Sequence, residues 1–366
     1  MWYMNEEREL LQGAFREFAQ TRVRPYIPEM EEKEADCKCF IKEMGELGFL
    51  GLNMPEELGG RGVDYINEGL LFEELAKESY VVAFSTMLVH MFNEAMLRGC
   101  SDEQKQKYLV PAIQGEILMG LAGNEATGGS FLEGFSTKAV KDGDEWTING
   151  TKVLVSQSDV ADVFMAMAVT ENFLDIFFAS EGTEGLSHGH IENKLGFKGS
   201  RTGTVYFNDL KVPDADRFPN PFCFSPDLYG GFYGAMDLGG AEAIVEKTVN
   251  YLKQRIQEEG KSVWDLHESA RNDLARLQAK ISIFRNAVYA HLLNLNNGDV
   301  DIVESVALKI EGEKLLEEVS SECMSLMGGA GLIYETGIER FYRDVKMTAH
   351  ACCSNKSFLS QIAATM

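Results

Sequence analysis

The chain has 366 residues, 45% of them hydrophobic, which is long enough for a sizeable core and typical of a globular protein. It contains 34 Lys and Arg residues against 57 Asp and Glu residues, a formal net charge of −23. Such an excess of negative charge repels nucleic acid and anionic membranes, so we expect neither as a partner.

We expect neither a membrane span nor a targeting segment. No apolar run approaches the ~20 residues that a bilayer requires. The N-terminal stretch MWYMNEERELLQGAF is acidic and amphipathic, without a basic region or a small-residue cleavage site. The seven cysteines are odd in number and show no metal-ligand spacing, so we predict no metal site. Reduced thiols in a cytoplasmic protein fit best.

The first part of the chain, to about residue 115, has helical patterns. Apolar residues recur at helical spacing in ERELLQGAFREFAQ and FIKEMGELGFLGL, and Pro25 and Pro28 predict a break between them. The Gly-rich MPEELGGRGVDY predicts a loop. Helical patterns resume in INEGLLFEELAKE and DEQKQKYLVPAI. We therefore predict an all-helical domain over residues 1–117.

Near residue 118 the pattern changes to short runs rich in β-branched and aromatic residues. Examples are STKAVKDGDEWTINGTKVLVS, ADVFMAMAVT and LDIFFAS, separated by turn signals such as DGDE and NG. The block KLGFKGSRTGTVYFNDLKVP ends in a strand and a proline. These runs predict an all-β domain over residues 118–219.

Long helical patterns return after a Pro- and Phe-rich linker and define a third domain, residues 220–366. The patterns are LGGAEAIVEKTVNYLKQRIQ, NDLARLQAKISIFRNAVYAHLLNL, VESVALKIEGEKLLEEVSSECMSLM and, at the end, NKSFLSQIAATM. Gly328 and Gly329 should break the third of these helices and permit close approach of a backbone or a flat ligand. A charged helix, ERFYRDVK, is expected to follow.

Taken together in order, the PEELGG loop, the KLGF…LKVP block and LMGGAGLIYETGIERFYRDVK resemble the acyl-CoA dehydrogenase family. The resemblance covers essentially the whole chain. It implies an α+β, mostly α fold: an N-terminal helical domain, a middle β-barrel or sandwich and a C-terminal four-helix bundle. It also implies FAD as the cofactor, bound at subunit interfaces of a homodimer or homotetramer, and oxidation of acyl thioesters.

The resemblance places one set of FAD contacts in the middle domain. The family's T-E-P-x-A-G-S-D loop corresponds to residues 124–131, so Asn124 stands for the Thr that contacts the flavin ring, and Gly129 and Ser130 keep the small-plus-hydroxyl pair. The family's W-I-T-N strand corresponds to LVSQ here. Ser156 keeps the hydroxyl near the flavin, whereas Leu154 replaces the aromatic residue.

A second set of FAD contacts falls in the C-terminal domain. Arg255 corresponds to the Arg of Q-R-x-x-F-G that reaches the FAD pyrophosphate of a neighbouring subunit, and guanidinium binds phosphate oxygens well. A surface Arg paired with a nearby acid is the alternative. His267 occupies a position that is often Gln, Gly328 and Gly329 lie on the adenosine side, and Ser354 matches the Thr of E-G-T.

The catalytic base is where the chain departs from the family. Dehydrogenation needs a group that removes the α-proton while the β-hydrogen leaves as hydride to flavin, and a carboxylate in a dry pocket suits this task. The two family positions for that Glu carry Cys352 and Tyr229. The Arg that follows the second position is Gly230 here. Cys352 as thiolate needs a lowered pKa, and Tyr229 more plausibly shapes the pocket.

Three functions remain open at this point. The first is an FAD-dependent oxidoreductase acting on an acyl thioester held by CoA or by an acyl carrier protein. The second is a flavin-dependent oxidase or monooxygenase on the same fold, which does not need the Glu. The third is a non-redox binding module that kept the scaffold, which the loss of both bases favours. The electron acceptor would be an electron-transfer flavoprotein or oxygen.

Overall fold

Three regions of secondary structure follow one another along the chain. The computed structural model describes residues 1–33, 35–127, 134–171, 173–218, 226–348, 351 and 354–363. Three predicted site residues, Gly129, Ser130 and Cys352, lie outside the described residues. The expected mostly α architecture, with helices on either side of a β region, is confirmed.

The first region is helical. Its α-helices are α1 (Glu6–Phe18), α2 (Arg24–Lys33), α3 (Lys38–Glu46), α4 (Tyr65–Glu78), α5 (Tyr80–Gly99), α6 (Asp102–Gln104) and α7 (Val110–Ile113). Local sequence explains several of their ends: Asn5 accepts a hydrogen bond from the Arg8 N–H at the start of α1, and Asp64 accepts one from the Asn67 N–H at the start of α4.

The predicted break at Pro25 and Pro28 is wrong. Both prolines lie in α2, which continues directly from α1 through a π-helical turn, Ala19–Val23. In that turn the Arg24 N–H bonds to the Ala19 carbonyl. Pro25 and Pro28 lack the N–H groups that an uninterrupted α-helix would use, and the π-helical turn directly before them shifts the hydrogen-bond pattern. The wider turn absorbs the irregularity that would otherwise end the helix.

Helix α5 is central to the N-terminal region. Contrary to the expectation from run lengths, its length and composition would suffice to cross a membrane, and it is the one helix in the described part of the chain of which this is true. However, 89% of the most apolar 18-residue segment of this helix is buried inside the structure, as expected for a helix in the core of a folded domain. Phe84, Leu88 and Phe92 recur along one face of this helix, and that face borders the site described below.

The middle region consists of two four-stranded sheets. Its strands are β1 (Met119–Ala122), β2 (Lys138–Asp142), β3 (Glu145–Val155), β4 (Val163–Ala168), β5 (Asp175–Ser180), β6 (Leu186–Ile191), β7 (Gly203–Pro213) and β8 (Arg217–Phe218). One sheet has the order β1-β4-β5-β8 and the other β2-β3-β7-β6. Apolar side chains from both, such as Ile148 and Phe164, share one core, so this is a sandwich.

The third region is again helical. Its helices are α8 (Pro226–Gln254), α9 (Val263–Leu266), α10 (Glu268–Asn296), α11 (Ile302–Met327), α12 (Ile338–Thr348) and α13 (Asn355–Ala363). The expected glycine break is confirmed: α11 ends at Met327, and Gly328 follows with φ +64°. Helix α8 packs against α10 and α11, and also against α4.

Glycines allow α8 to approach its neighbours closely. A Cβ atom at Gly239 would lie 2.2 Å from the Glu73 carbonyl oxygen of α4, and one at Gly230 would lie 1.9 Å from the Ser305 carbonyl oxygen of α11. The two helical regions consequently share a single hydrophobic core. Phe197 of the middle region enters this core, and its N–H donates to Asp344 Oδ1 of α12 at 2.7 Å. The loop before β7 is thereby fixed against the C-terminal helices.

Candidate active site

A cavity of about 210 Å³ lies where the three regions meet. Its apolar walls include Phe84, Leu88, Phe92, Leu154, Phe197 and Met347. Its polar lining consists of Ser85, Asn124, Ser156, Gln157, Lys194 and Thr202. The structure therefore brings together two of the predicted flavin contacts, Asn124 and Ser156, which are far apart in sequence. A cavity with apolar walls and a few polar groups is typical of a ligand site.

The end of β3 has an unusual backbone that presents Ser156 to this cavity. Leu154, two residues before it, and Gln157, directly after it, have φ values of +53° and +61°. Left-handed backbone is uncommon outside glycine and persists only where surrounding contacts enforce it. Here the Gln157 N–H donates to the Ser200 carbonyl at 3.2 Å and the next N–H donates to the Arg201 carbonyl at 3.0 Å. Strand pairing also shifts register between Lys152 and Val155.

A buried ion pair fixes the loop that carries Asn124. Lys152 Nζ lies 2.8 Å from Glu125 Oε1, and both side chains are almost completely buried. Glu125 also accepts hydrogen bonds from Ser136 and from the Thr137 N–H. Burial alone would raise the pKa of Glu125, but the bonds from Lys152 and Ser136 outweigh it and lower the pKa to about 2. Glu125 is therefore an ionised structural group and unsuited to act as a base at neutral pH.

Four of the five C-terminal residues predicted to contact FAD, Arg255, His267, Gly328 and Gly329, are exposed and do not line the cavity. Arg255 and Gly328 are neighbours, since a Cβ atom at Gly328 would lie 3.9 Å from Arg255 Nη1. Within the described chain Arg255 forms no ion pair with an acid, and its guanidinium lies 6.0 Å from the centre of the Tyr251 ring. His267 is exposed and bonds to Gln257 at 2.9 Å. A Cβ atom at Gly329 would meet open space.

Comparison with known families is decisive at this point. The acyl-CoA dehydrogenase N-terminal domain matches residues 5–116, the middle domain of the same family residues 120–210 and its C-terminal domain residues 232–366. The chain belongs to the acyl-CoA dehydrogenase family. This confirms the expected fold and the expected class, an FAD-dependent flavoprotein oxidoreductase for acyl thioesters.

Individual relatives agree with this assignment. The chain is 30% identical over 364 residues to a short-chain specific acyl-CoA dehydrogenase of Clostridium acetobutylicum, covering 94% of each chain. It is 27% identical to a 3-(aryl)acrylate reductase of Clostridium sporogenes, covering 95% of each chain. The solved structure of butyryl-CoA dehydrogenase from Megasphaera elsdenii is 26% identical, with a TM-score of 0.93, and the match covers 99% of this chain and 98% of that one.

The residues around the cavity fit the flavin end of FAD. The flavin ring is flat, with apolar faces and a polar edge, and the cavity combines apolar walls with the side chains of Asn124 and Ser156. The Gln157 Oε1 atom is buried and has no hydrogen-bond partner among the described residues, so a ligand donor can satisfy it. The Arg255–Gly328 surface fits phosphate oxygens and a close-lying adenosine, but it does not border this cavity.

Tyr229, one of the two predicted base positions, lies away from the cavity. Tyr229 is 8% exposed, lies 5.5 Å from the Phe358 ring and does not line the cavity. Next to it, Gly230 packs on Ser305 so closely that no Arg side chain can stand there. Ser354 accepts the Ser357 N–H at 3.3 Å, where α13 begins, and so has a role in capping that helix.

Acid–base chemistry in the cavity has few candidates. Among the described residues that line it, Lys194 is the only one with a titratable side chain, and none is Asp or Glu. Cys37 lies just behind the lining and donates to Ser85 Oγ at 3.2 Å. Burial raises the pKa of this thiol, so it remains protonated and acts as a small polar contact.

Sequence reasoning missed four polar lining residues, Ser85, Gln157, Lys194 and Thr202. Gln157 could have been found, because it directly follows Ser156 in the family's strand motif. Gln157 Nε2 donates to Ser85 Oγ at 3.1 Å, a contact between residues 72 positions apart. Ser85 lies inside an apolar helical pattern, so no local signal marks it.

Proposed function

We propose that this protein transfers hydrogen between bound FAD and the Cα–Cβ bond of an acyl thioester without a carboxylate at either usual family position. The observation that carries the proposal is the cavity: Asn124 and Ser156 meet there, and no Asp or Glu is among its described lining residues. Family membership supports the cofactor and the substrate class. The residues support the departure from the usual acid–base arrangement.

The chemistry that bound FAD supplies is acceptance or donation of a hydride. The residues of this chain orient the reactants around that step. Ser156 and Asn124 offer a hydroxyl and an amide for hydrogen bonds to a polar ring edge or a thioester oxygen. The apolar face of α5, Phe84, Leu88 and Phe92, excludes water from the acyl side of the cavity.

The reductive direction is a second candidate, and Lys194 favours it. A lysine ammonium has three N–H donors and no acceptor, so it can deliver a proton but cannot remove one. Protonation at Cα is the step that reduction of an α,β-unsaturated thioester requires, with hydride arriving at Cβ. The relationship to a protein named 3-(aryl)acrylate reductase supports testing this direction.

The proposed FAD site is shared between subunits of a homodimer or homotetramer. Arg255, Gly328 and Gly329 do not line the cavity that holds Asn124 and Ser156, so one chain is expected to provide the flavin end and a neighbour the phosphate contacts. Leu332 and Tyr334, 73% and 77% exposed, lie close in sequence to these glycines. Burial of such apolar surface is typical of subunit interfaces.

The thioester carrier, the electron acceptor and the location form a finer part of the proposal. The close packing of Gly230 on Ser305 excludes the Arg that helps relatives hold the thioester ligand, which favours a carrier-protein tether over CoA. The acceptor is proposed to be an electron-transfer flavoprotein, with oxygen as the alternative. The four described cysteines, including Cys37 and Cys323, form no disulfide, and this supports a cytoplasmic location.

The visible absorption spectrum of the gel-filtered protein tests the proposal first. We expect oxidised flavin at near-stoichiometric amounts. Arg255→Ala should lower the retained flavin, because a subunit loses its pyrophosphate contact, whereas the exposed Arg276→Ala on α10 should not. A colourless protein that takes up no added FAD would refute the redox proposal and leave the binding module. Unchanged flavin in Arg255→Ala would refute the shared site at this position.

Substrate assays then separate the remaining readings. Saturated and unsaturated acyl thioesters of CoA and of an acyl carrier protein are mixed with the protein, and flavin bleaching or reoxidation is followed. Bleaching by a saturated thioester supports dehydrogenation, and reoxidation of reduced flavin by an unsaturated thioester supports reduction. Rapid reoxidation by air, without any thioester, would instead favour the oxidase or monooxygenase reading.

A further inference from the structure

Three buried polar residues form a hydrogen-bonded triad at one wall of the cavity. They are Ser85 of α5, Gln157 just after β3 and Cys37 just before α3. Their exposed fractions are 3%, 3% and 1%, and Ser85 and Gln157 line the cavity. Burying polar groups costs free energy unless they are hydrogen-bonded. The bonds within the triad therefore show which of its polar atoms is left for a ligand.

Gln157 uses both hydrogens of its side-chain amide within the triad. Nε2 donates to Ser85 Oγ at 3.1 Å and to Cys37 Sγ at 3.5 Å. The Gln157 backbone is fixed as well, with a φ of +61° and an N–H that donates to the Ser200 carbonyl at 3.2 Å. The amide donors are thus committed to Ser85 and Cys37, and they fix the position of the Ser85 oxygen.

Ser85 accepts two hydrogen bonds and has only its own hydrogen left to offer. A hydroxyl has one O–H donor and two lone pairs. One lone pair receives the Gln157 N–H, and the other receives the Cys37 S–H at 3.2 Å. Among the described residues the Ser85 hydrogen finds no backbone or carboxylate acceptor. Buried polar groups are nearly always paired, so this hydroxyl is an oriented donor whose acceptor is missing.

The next residue on α5 shows how a helical hydroxyl is usually satisfied. Thr86 is fully buried, and its hydroxyl donates to the Val82 carbonyl at 2.8 Å, one turn back in the same helix. Ser85 makes no such bond to its own helix in the part of the chain that the structure describes. The triad therefore keeps the Ser85 hydrogen available for a partner outside α5.

The position of Ser85 indicates which partner that is. Ser85 lies on the face of α5 that also carries Phe84 and Leu88, the acyl side of the cavity. Its partner Gln157 directly follows Ser156, one of the predicted flavin contacts. Ser85 consequently lies where the acyl wall meets the flavin contacts. The carbonyl group of a thioester is attached to Cα, so it belongs at this junction when Cα and Cβ react with flavin.

We propose that Ser85 is a catalytic residue that donates a hydrogen bond to the thioester carbonyl oxygen, and that Gln157 and Cys37 are positioning residues for it. This inference rests on the proposed function. When hydride adds at Cβ of an unsaturated thioester, the double-bond electrons move to the carbonyl oxygen, and the resulting enolate takes a proton at Cα from Lys194. Removal of the α-proton in the oxidative direction places the same charge on that oxygen. A preoriented donor stabilises this charge, which suits a cavity without Asp or Glu in its described lining.

The carbonyl stretching frequency of a bound thioester tests the contact directly. The probe is crotonyl-CoA or its acyl carrier protein counterpart, isotope-labelled at the carbonyl carbon and bound to the oxidised FAD-loaded protein, which has no hydride to donate. The band of Ser85→Ala should lie at higher frequency than that of the wild type, because a hydrogen bond to the oxygen weakens the C=O bond. Thr86→Val is the matched control and should leave the band unchanged. Identical bands in the wild type and Ser85→Ala would overturn the proposal.

Turnover separates this inference from the proposed function. Ser85→Ala should lower kcat by roughly a hundredfold, the usual effect of removing one such donor, and change KM by less than about threefold. If the flavin-loaded wild type turns over a thioester and Ser85→Ala has the same kcat, this inference alone is refuted. If the flavin-loaded wild type turns over no thioester, the proposed function is refuted.

Two further variants test the triad without removing the polar group of Ser85 or its position on α5. Ser85→Cys keeps a weaker donor, so its kcat and carbonyl frequency should lie between those of the wild type and Ser85→Ala. Gln157→Met frees a lone pair of Ser85 and lets the hydroxyl turn, so kcat should fall by roughly tenfold with a smaller shift of the band. Flavin content and denaturation midpoints show that each variant is folded. A wild-type band in both variants would contradict the roles given to the triad.

Discussion

The Lys152–Glu125 pair provides a quantitative test of how the site loop is held. Replacing Lys152 by Met keeps an unbranched side chain but leaves the Glu125 carboxylate buried without its cation. The pKa of Glu125 falls from 4.5 to about 2 in the folded protein. Since one pKa unit corresponds to ~1.4 kcal/mol, the native surroundings stabilise this carboxylate by about 3 kcal/mol at neutral pH.

We expect Lys152→Met to cost up to about 3 kcal/mol, at the low end of the cost of breaking a buried ion pair. Part of the loss is offset, because burial lowers the pKa of Lys152 to about 8 and so destabilises its ammonium in the folded protein. The expected loss of stability is not larger because Ser136 and Thr137 still donate hydrogen bonds to Glu125 in the variant. The added change Glu125→Gln should restore at least half of the loss, because no charge then remains buried. In the wild type the contribution is complete above pH 4.5 and is lost as the pH falls from 4.5 towards 2.

Urea denaturation at pH 7, followed by the fluorescence of Trp146, isolates the effect in the middle domain. Trp146 is 2% exposed and belongs to the core of the sandwich. The chain has three tryptophans, so Trp2→Phe and Trp264→Phe form the background. The control is Lys211→Met, whose exposed pair with Glu145 at 3.6 Å should contribute under ~1 kcal/mol. Equal denaturation midpoints for Lys152→Met and Lys211→Met would refute the reasoning.

Two further predictions concern α8. Burial raises the pKa of Asp237 to about 8, so the free energy of unfolding should decrease as the pH rises from about 4 to 8. Asp237→Asn should remove this pH dependence and cost under ~1 kcal/mol at pH 5. If the denaturation midpoint changed equally between pH 5 and pH 8 in the wild type and in Asp237→Asn, the prediction would be contradicted. Gly230→Ala should cost more than ~3 kcal/mol because its Cβ would lie 1.9 Å from the Ser305 carbonyl oxygen. Gly13→Ala, with open space around its Cβ, should instead stabilise by up to ~1 kcal/mol, and equal melting temperatures of the two variants would contradict the packing argument.

Much of the fold could be predicted because its signals are local. Apolar spacing identified α8, α10 and α11, and short β-branched runs identified β3, β4 and β5. The error at Pro25 and Pro28 arose because a π-helical turn has no sequence signal comparable to that of a proline. For the charged helix α12, the pattern indicated neighbouring charges, and Arg343 and Glu339 do pair at 3.0 Å.

The candidate site was less accessible to sequence reasoning, because its contacts join distant segments. The sequence shows that position 230 is Gly where the resemblance expects Arg. Only the structure shows that the Ser305 carbonyl oxygen leaves no space for an Arg side chain at this position. Likewise, the charged run of α12 gave no indication that Arg340 is buried with an unpaired nitrogen. Burial of polar groups depends on neighbouring elements, in this case α2 and the loop before β7.

The backbone at the end of β3 bears on the choice between a cavity that binds a ligand and an empty scaffold. Leu154 and Gln157 hold left-handed conformations, each costing ~1 kcal/mol or more for a residue with a side chain. Leu154 is also 57% exposed, so its burial does not compensate for that cost. A protein that binds nothing at this cavity has no use for such strain. In a site that directs the Ser156 hydroxyl at a ligand, the strain is useful because the strained residues fix the direction of the hydroxyl. The geometry therefore favours ligand binding at this cavity over an empty scaffold, as both the flavin-dependent proposal and a non-redox binding module require.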